Sequence, residues 1–269
     1  MGFADAERGS ALCRVQVART RRVSPHVIRV TLAGDDLARL TPHGHDHWFR
    51  LFLPQEEGET SWDLPDRFGA AGYGAFLRIP AATRPILRSY TVRELRPDAR
   101  ELDVDLVVHG DTGPATRWAQ RARQGDPVAL LDQGRGYDYA PDTDFHLLAG
   151  DETALPAIAG ILRDLPRETT GLALVEIPVA ADAQAVDAPA GVEVRWLPRD
   201  SSGSPDATPG RLALAALRAW TPHSPTTLSA YLCGEHTLPT RGRRHLVAAG
   251  VPKPRITFVG YWRAGQPAY

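Results

Sequence analysis

The chain has 269 residues, with 31 Lys and Arg against 32 Asp and Glu and a formal net charge of −1. That length suits about two domains, and the charge balance excludes a general nucleic-acid binder, which would carry a basic excess. No basic, apolar, small-residue leader opens the sequence, no apolar run is long enough to span a bilayer, and Cys13 and Cys233 form no CxxC or zinc spacing. The expectation is a reduced, cytoplasmic protein that binds neither membrane nor structural metal.

The first half reads as strands. RVQVART (14–20), HVIRVTL (26–32), WFRLFLP (48–54), LRSYTVR (87–93), ELDVDLVVH (101–109) and PVALL (127–131) are short β-rich runs separated by turn residues. Arg96-Pro-Asp-Ala99 is expected to join two antiparallel strands. Six such strands predict a small closed antiparallel barrel. One helix interrupts them at 114–123, with Pro114 at its first position and Gly125 just beyond its end. The Gly/Pro-rich stretch from Gln55 to Pro85 reads as a long surface loop.

Near residues 137–144 the rhythm changes. FHLLAG (145–150) leads into a helix over 153–165, and GLALVEIPV (171–179) and VEVRWLP (192–198) are further strands. A helix over 211–220, a strand LSAYLCG (228–234), a helix over 240–249 and a strand RITFVGYW (255–262) follow. Strands alternating with helices predict a parallel sheet whose ligands bind beyond the carboxyl ends of its strands. The expected organisation is therefore a two-domain β plus α/β chain, with an antiparallel barrel over 11–140 and a parallel-sheet domain over 141–269.

Four stretches could carry chemistry. In LRSYTVR, alternation puts Arg88 and Tyr90 on one face and Ser89 and Thr91 on the other. HGDTGPATRW (109–118) ends a strand and opens a helix whose free N–H groups could take an anion, although a plain glycine turn with a capped helix is the simpler alternative. Together, an Arg for phosphate, a Tyr for a flat ring and a helix start for pyrophosphate describe a dinucleotide with a large planar head, of which FAD is the obvious case. AGDETALPA (149–157) lacks GxGxxG, yet its helix start could still face a cofactor phosphate. YLCGEHTLPTRGRRHL (231–246) carries Arg241, Arg243 and Arg244, either a solvated face or a nucleotide-phosphate contact, and GYWRAG (260–265) ends the last strand. HGHDHW (43–48) would set His43, His45 and His47 on one face of a strand, but with no carboxylate or Cys partner in view no metal is expected there. No GxSxG elbow supports a hydrolase.

The set LRSYTVR, HGDTGPATRWA, GDETALPAI, CGEHTLPTRGRRHL and GYWRAG, in this order, resembles the siderophore-interacting protein family, the flavin-dependent ferric-siderophore reductases of the ferredoxin-reductase-like superfamily. The resemblance runs from about Arg14 to Gly265. It implies that the barrel binds FAD through Arg88, Ser89, Tyr90, Thr91, His109, Gly113, Pro114, Ala115 and Thr116, with Tyr90 and Thr91 at the flavin itself. It implies that Asp151, Glu152, Thr153, Gly234 and Glu235 face NADH or NADPH. It assigns receipt of the ferric siderophore to Arg50, Arg135 and Arg263. Several guanidiniums suit a multiply anionic ferric catecholate. Arg241 and Arg244 lean towards the 2′-phosphate of NADPH, whereas Asp182 could hold a ribose hydroxyl. Cys233 could lie near the nicotinamide, and Tyr269 could cover the flavin. The expected enzyme is a monomer that takes electrons from NAD(P)H, or in some relatives from ferredoxin. The rivals are a general NAD(P)H:flavin or ferredoxin-type oxidoreductase and a non-catalytic flavin or siderophore carrier.

Overall fold

The computed structural model describes residues 10–108, 113–203 and 208–266. His109 and the Pro267–Tyr269 end, both singled out in the sequence, lie outside the described residues. The chain divides into two compact units, one ending at Gly134, the other formed by the rest together with Ser24–His26 and Gly44–Asp46. Among the described residues no helix is long and apolar enough to cross a membrane.

The first unit is an antiparallel sheet of Ser10–Ser24 (β1), Val27–Ala33 (β2), Trp48–Leu53 (β3), Arg67–Phe68 (β4), Ile86–Thr91 (β5), Glu94–Arg96 (β6), Glu101–Val107 (β7) and Pro127–Asp132 (β8). Its order is β5-β3-β8-β1-β2-β7-β6, with β4 paired to β1. The six expected strands all form. Two more accompany them among the described residues, because β4 has two residues and β6 three, too few for alternation to show.

Alternation explains what the strands bury. Along β7, Leu102, Val104 and Leu106 enter the barrel core while Asp103 and Asp105 point the other way. There they meet their cross-strand partners on β2. Arg29 binds Asp105 at 2.6 and 2.8 Å, and Thr31 donates to Asp103 at 2.6 Å. The sheet closes through one segment. The Val92 N–H donates to His47 O beside β3, whereas the Arg93 N–H donates to Asp103 O on β7. Residues 86–96 thus form both ends of the sheet. The 97–100 turn joins β6 to β7 as expected, with Arg96 opposite Glu101.

The Gln55–Pro85 stretch is not a plain loop. It holds β4 and a helix, Ala70–Arg78 (α1), which buries Phe76 against Phe52, Phe68 and Leu64 in a satellite core. Glycines at 69, 72 and 74 hid the helical period in the sequence. Gly72 is required sterically, since a Cβ there would sit 2.1 Å from Arg67 O. The interrupting helix, Pro114–Arg121 (α2), begins with Pro114 as expected.

The second unit contains Phe145–Gly150 (β9), Leu155–Asp164 (α3), Thr170–Ile177 (β10), Gly191–Pro198 (β11), Arg211–Ala219 (α4), Leu228–Glu235 (β12), Thr237–Ala248 (α5) and Ile256–Trp262 (β13). The strands are parallel in the order β11-β10-β9-β12-β13. α3 covers one face with Leu148, Ala173, Val175 and Cys233; Leu217 of α4 and Leu246 of α5 cover the other with Leu147, Leu172, Leu174 and Leu232. Burial on both faces is why these strands read as continuous apolar runs. Strand order reverses between β9 and β12, which makes their carboxyl ends the crevice where such sheets take ligands.

Behind that crevice lies a buried ion network. Arg199, just after β11, forms a two-pronged pair with Glu152 at 2.7 Å and reaches Glu176 of β10 at 3.2 Å. Glu176 also accepts from the N–H groups of Leu212 and Ala213, capping α4, whose Gly210 start offers no side chain. All three charged groups are at most 5 % exposed. Arg199→Ala strips both carboxylates of this guanidinium and is expected to lower the unfolding free energy by about 3–5 kcal/mol. Urea denaturation checks this; a loss under about 1 kcal/mol, as for a surface pair, would contradict it.

Candidate functional site

In the first unit the features assigned to a dinucleotide gather on β5 and at the start of α2. The expected alternation of β5 holds in its register. Tyr90 pairs with Phe49 and Arg88 with Leu51, both core residues, whereas Ser89 pairs with Arg50 and Thr91 with Trp48. Arg88 and Tyr90 therefore share one face, and Arg50 sits on the other with Ser89 and Thr91. Tyr90 is half-buried against the barrel core, and burial raises its phenol pKa.

Arg88 donates to Leu87 O at 2.8 Å and pairs with no carboxylate among the described residues. Arg50 likewise has no carboxylate partner there. A half-buried guanidinium with no countercharge among the described residues can take an anionic ligand.

The start of α2 matches this. Gly113 adopts φ +87, a conformation side chains rarely take, and open space lies where its Cβ would stand. The N-cap residue, Gly113, offers no side chain to cap the helix, and Pro114 contributes no N–H. Among the described residues the N–H groups of Ala115 and Thr116 have no acceptor, since the first helical bond runs from Arg117 to Gly113. Thr116 turns its hydroxyl to Val107 O at 3.4 Å. A phosphate-bearing cofactor with a flat ring fits this donor set: one unpaired guanidinium, one aromatic face and an uncapped helix start.

In the second unit the crevice is organised by Asp151, the first residue after β9. Its carboxylate is completely buried and accepts from Thr153 N at 2.9 Å, Thr153 Oγ1 at 2.5 Å, Glu235 N at 2.6 Å and Trp262 Nε1 at 3.3 Å. It thereby binds the ends of β12 and β13 to that of β9. Burial and the neighbouring Glu152 charge push its pKa up to about 7, against the pull of Thr153 and Glu235. Gly234 adopts φ +121, and a Cβ there would stand 2.6 Å from the Asp151 carboxyl. Only glycine fits beside this clamp.

The other acidic residues of the set are also engaged. Glu152 belongs to the Arg199 network, and Glu235, 3 % exposed, accepts from Thr237 N at 2.7 Å and Ala264 N at 3.3 Å. In this structure the carboxylates of Asp151, Glu152 and Glu235 thus face the protein interior. Cys233, placed near the nicotinamide from sequence, is fully buried in the core under α3, and burial pushes its thiol pKa up.

Two readings of nucleotide selectivity separate here. Asp182 is 2 % exposed and its acceptor sites are taken up by Ser24 Oγ at 2.7 Å, His26 N at 2.9 Å, His26 Nδ1 at 2.6 Å and Val179 N at 3.3 Å. Burial alone would raise its pKa, but Ser24 and His26 hold it below the usual carboxylate value. It has no capacity left for a ribose hydroxyl, which overturns that alternative. Arg241 and Arg244 are exposed on α5, while Arg243 lies over the Phe258 ring at 4.6 Å. Arg135 and Arg263 are exposed in the same unit. Arg135 contacts His45 Nδ1 at 3.4 Å and Asp138 at 3.7 Å.

Sequence reasoning missed Arg199, Glu176 and the Trp262 contact with Asp151. Their partners lie 23 to 111 residues away, and no local spacing announces them.

Known proteins resemble both units of this chain. Residues 16–136 match the siderophore-interacting FAD-binding domain and residues 143–265 match the siderophore-interacting protein domain. The ferric vibriobactin reductase ViuB of Vibrio cholerae is 30 % identical over 92 % of this chain and 88 % of that protein. The crystal structure of a siderophore utilization protein from T. fusca superposes with a TM-score of 0.78 at 35 % identity, covering 96 % of this chain and 95 % of the other. The ferredoxin reductase of carbazole 1,9a-dioxygenase shares the fold alone, with a TM-score of 0.61 at 16 % identity over 94 % of this chain and 70 % of the other. With its barrel and parallel-sheet units each matched along almost their whole length, the chain belongs to the siderophore-interacting protein family.

Proposed function

We propose that this protein is an FAD-dependent reductase of ferric siderophores that draws its electrons from NADPH. The observation that carries the reading is the donor set on β5 and α2: Arg88, which has no carboxylate partner among the described residues, the Tyr90 ring, and a helix start after Gly113 that offers no cap side chain. It lies in the unit that matches the siderophore-interacting FAD-binding domain.

When bound, FAD supplies the redox chemistry, accepting a two-electron hydride and releasing electrons singly. Arg88 neutralises phosphate charge, and the N–H groups of Ala115 and Thr116 donate to the pyrophosphate. Tyr90 offers its ring to the flavin, while Ser89 and Thr91 line the other face of the strand. Asp151 keeps the Gly234–Glu235 turn open for the nicotinamide, and Arg241 and Arg244 meet the 2′-phosphate. Arg50, Arg135 and Arg263 attract and orient an anionic ferric catecholate, a contact that weakens with salt. Reduction to Fe(II) loosens the iron from the siderophore oxygens, so no acid–base pair is required of the chain. The buried free thiols of Cys13 and Cys233 suit a reducing cytoplasm, where a monomer would suffice.

Two measurements test these roles. Arg241→Ala/Arg244→Ala is expected to raise KM for NADPH by about tenfold or more, from the loss of charge-assisted bonds, and to leave KM for NADH unchanged. An equal effect on both nucleotides would remove the 2′-phosphate assignment. Replacing Arg50, Arg135 and Arg263 together with Ala is expected to cut ferric-catecholate reduction at low salt by about tenfold or more, while NADPH still bleaches the flavin. Undiminished reduction of the ferric catecholate would show that these arginines do not receive it.

A further inference from the structure

The histidine-rich HGHDHW segment acquires in three dimensions a carboxylate from elsewhere in the chain, because its own Asp46 accepts from the N–H groups of Gly136 and Tyr137 at 3.0 and 2.8 Å. Residues 43–46 do not form a strand, so the three histidines do not line one face. Gly44 at φ +66 and His45 at φ +50 make a tight turn of two left-handed residues. His45 is thereby drawn away to Tyr137 and Tyr139 in the second unit, and His43 and His47 are folded back towards each other in the first. The last residue of β8, Asp132, meets them. His47 Nε2 lies 2.7 Å from one of its carboxylate oxygens, and His43 Nε2 lies 3.4 Å from the other. The three potential ligand atoms are all within 4.8 Å of one another.

We infer that His43, His47 and Asp132 form a binding site for one divalent first-row transition-metal ion. An ion about 2.0–2.2 Å from each donor needs donors roughly 3–3.5 Å apart, a spacing reached here by side-chain shifts of about 1 Å. The frame is already fixed. His47 O accepts from Val92 N, Gln133 N and Gly134 O pair with Trp48, and Asp132 takes a further bond from Gly134 N at 2.9 Å. This outer bond holds the carboxylate in orientation, as hydrogen bonds to metal ligands commonly do.

The two imidazole rings stand at 86° with centroids 4.8 Å apart, and both Nε2 atoms face the Asp132 carboxylate. His47 is buried, whereas the His43 side chain is 36 % exposed, so the site opens on one side to water. Two imidazoles and a carboxylate suit Zn²⁺, Fe²⁺, Co²⁺ or Ni²⁺. The absence of sulfur among the three argues against Cu⁺, and two nitrogen donors argue against Mg²⁺ and Ca²⁺. Three protein ligands with open positions make an exchangeable site rather than a closed structural one. If the reductase reading holds, the Fe(II) released by the reaction is the ion this site would meet; that link rests on the proposed function, and the site itself does not.

The test uses full-length, tag-free protein titrated with Co²⁺ without any nicotinamide, so its outcome is independent of reductase activity. The expected result is one Co²⁺ per chain, with visible d–d bands of a four- or five-coordinate ion, displaced by Zn²⁺. His43→Ala and Asp132→Asn are each expected to weaken binding at least tenfold and abolish those bands. Circular dichroism and FAD uptake report whether each variant folds, and the partly exposed His43 keeps the test decisive if Asp132→Asn does not. Failure of the wild type to bind, or an unchanged spectrum and stoichiometry in His43→Ala, would reduce the cluster to an ion pair closing one end of the barrel.

Discussion

The barrel depends on one bent segment. An antiparallel sheet of this size leaves two edges, and here both belong to residues 86–96, which pair with β3 up to Val92 and with β7 from Arg93 onwards. The backbone that closes the barrel is the same backbone that presents Arg88 and Tyr90 on one face and Ser89 and Thr91 on the other. Its register is doubly fixed, since slipping by one residue would exchange Tyr90 with Ser89 and break the ladder on two sides. A cofactor platform gains from such rigidity, because the geometry of ring and phosphate contacts is set before any ligand arrives.

The second unit meets the same need by different means. Parallel strands end in a crevice whose lip would fray unless tied. Asp151 ties it with one carboxylate bonded to the residues after β9, to the end of β12 and to the indole of β13. Glu152 and Glu235 hold adjoining parts in place through Arg199 and through the start of α5. Acidic groups at this crevice would repel a phosphate if they faced it. Buried and paired, they shape it instead, and the positive charge on the exposed face of α5 remains with Arg241 and Arg244.

Much of this was legible in the sequence, and the parts that were not have physical reasons. Strand alternation in ELDVDLV, the Pro114 helix start and the parallel-sheet apolar runs rest on local periodicity, and these elements formed where expected. The Gln55–Pro85 stretch was misread because three glycines masked a helix held by tertiary contact with Phe52 and Phe68. The resemblance implied that the GDET and CGE residues face a nicotinamide cofactor; the long-range donors Glu235 N, Trp262 Nε1 and Arg199 turn the Asp151 and Glu152 carboxylates inward, a contact that no local spacing shows. His43 and His47 offered half a metal site, and its other half lay 85 residues further along the chain at Asp132.

The central claim is that this protein passes electrons from a reduced nicotinamide through FAD to siderophore-bound Fe(III). Anaerobic stopped-flow spectroscopy of FAD-loaded protein tests it directly, with NADPH mixed first and a ferric catecholate second. The account predicts bleaching of the flavin absorbance by NADPH, followed by its return as the ferric complex is consumed and Fe(II) appears in a chelator trap. Flavin that stays oxidised with NADPH, or reduced flavin that persists unchanged in the presence of the ferric siderophore, would contradict it.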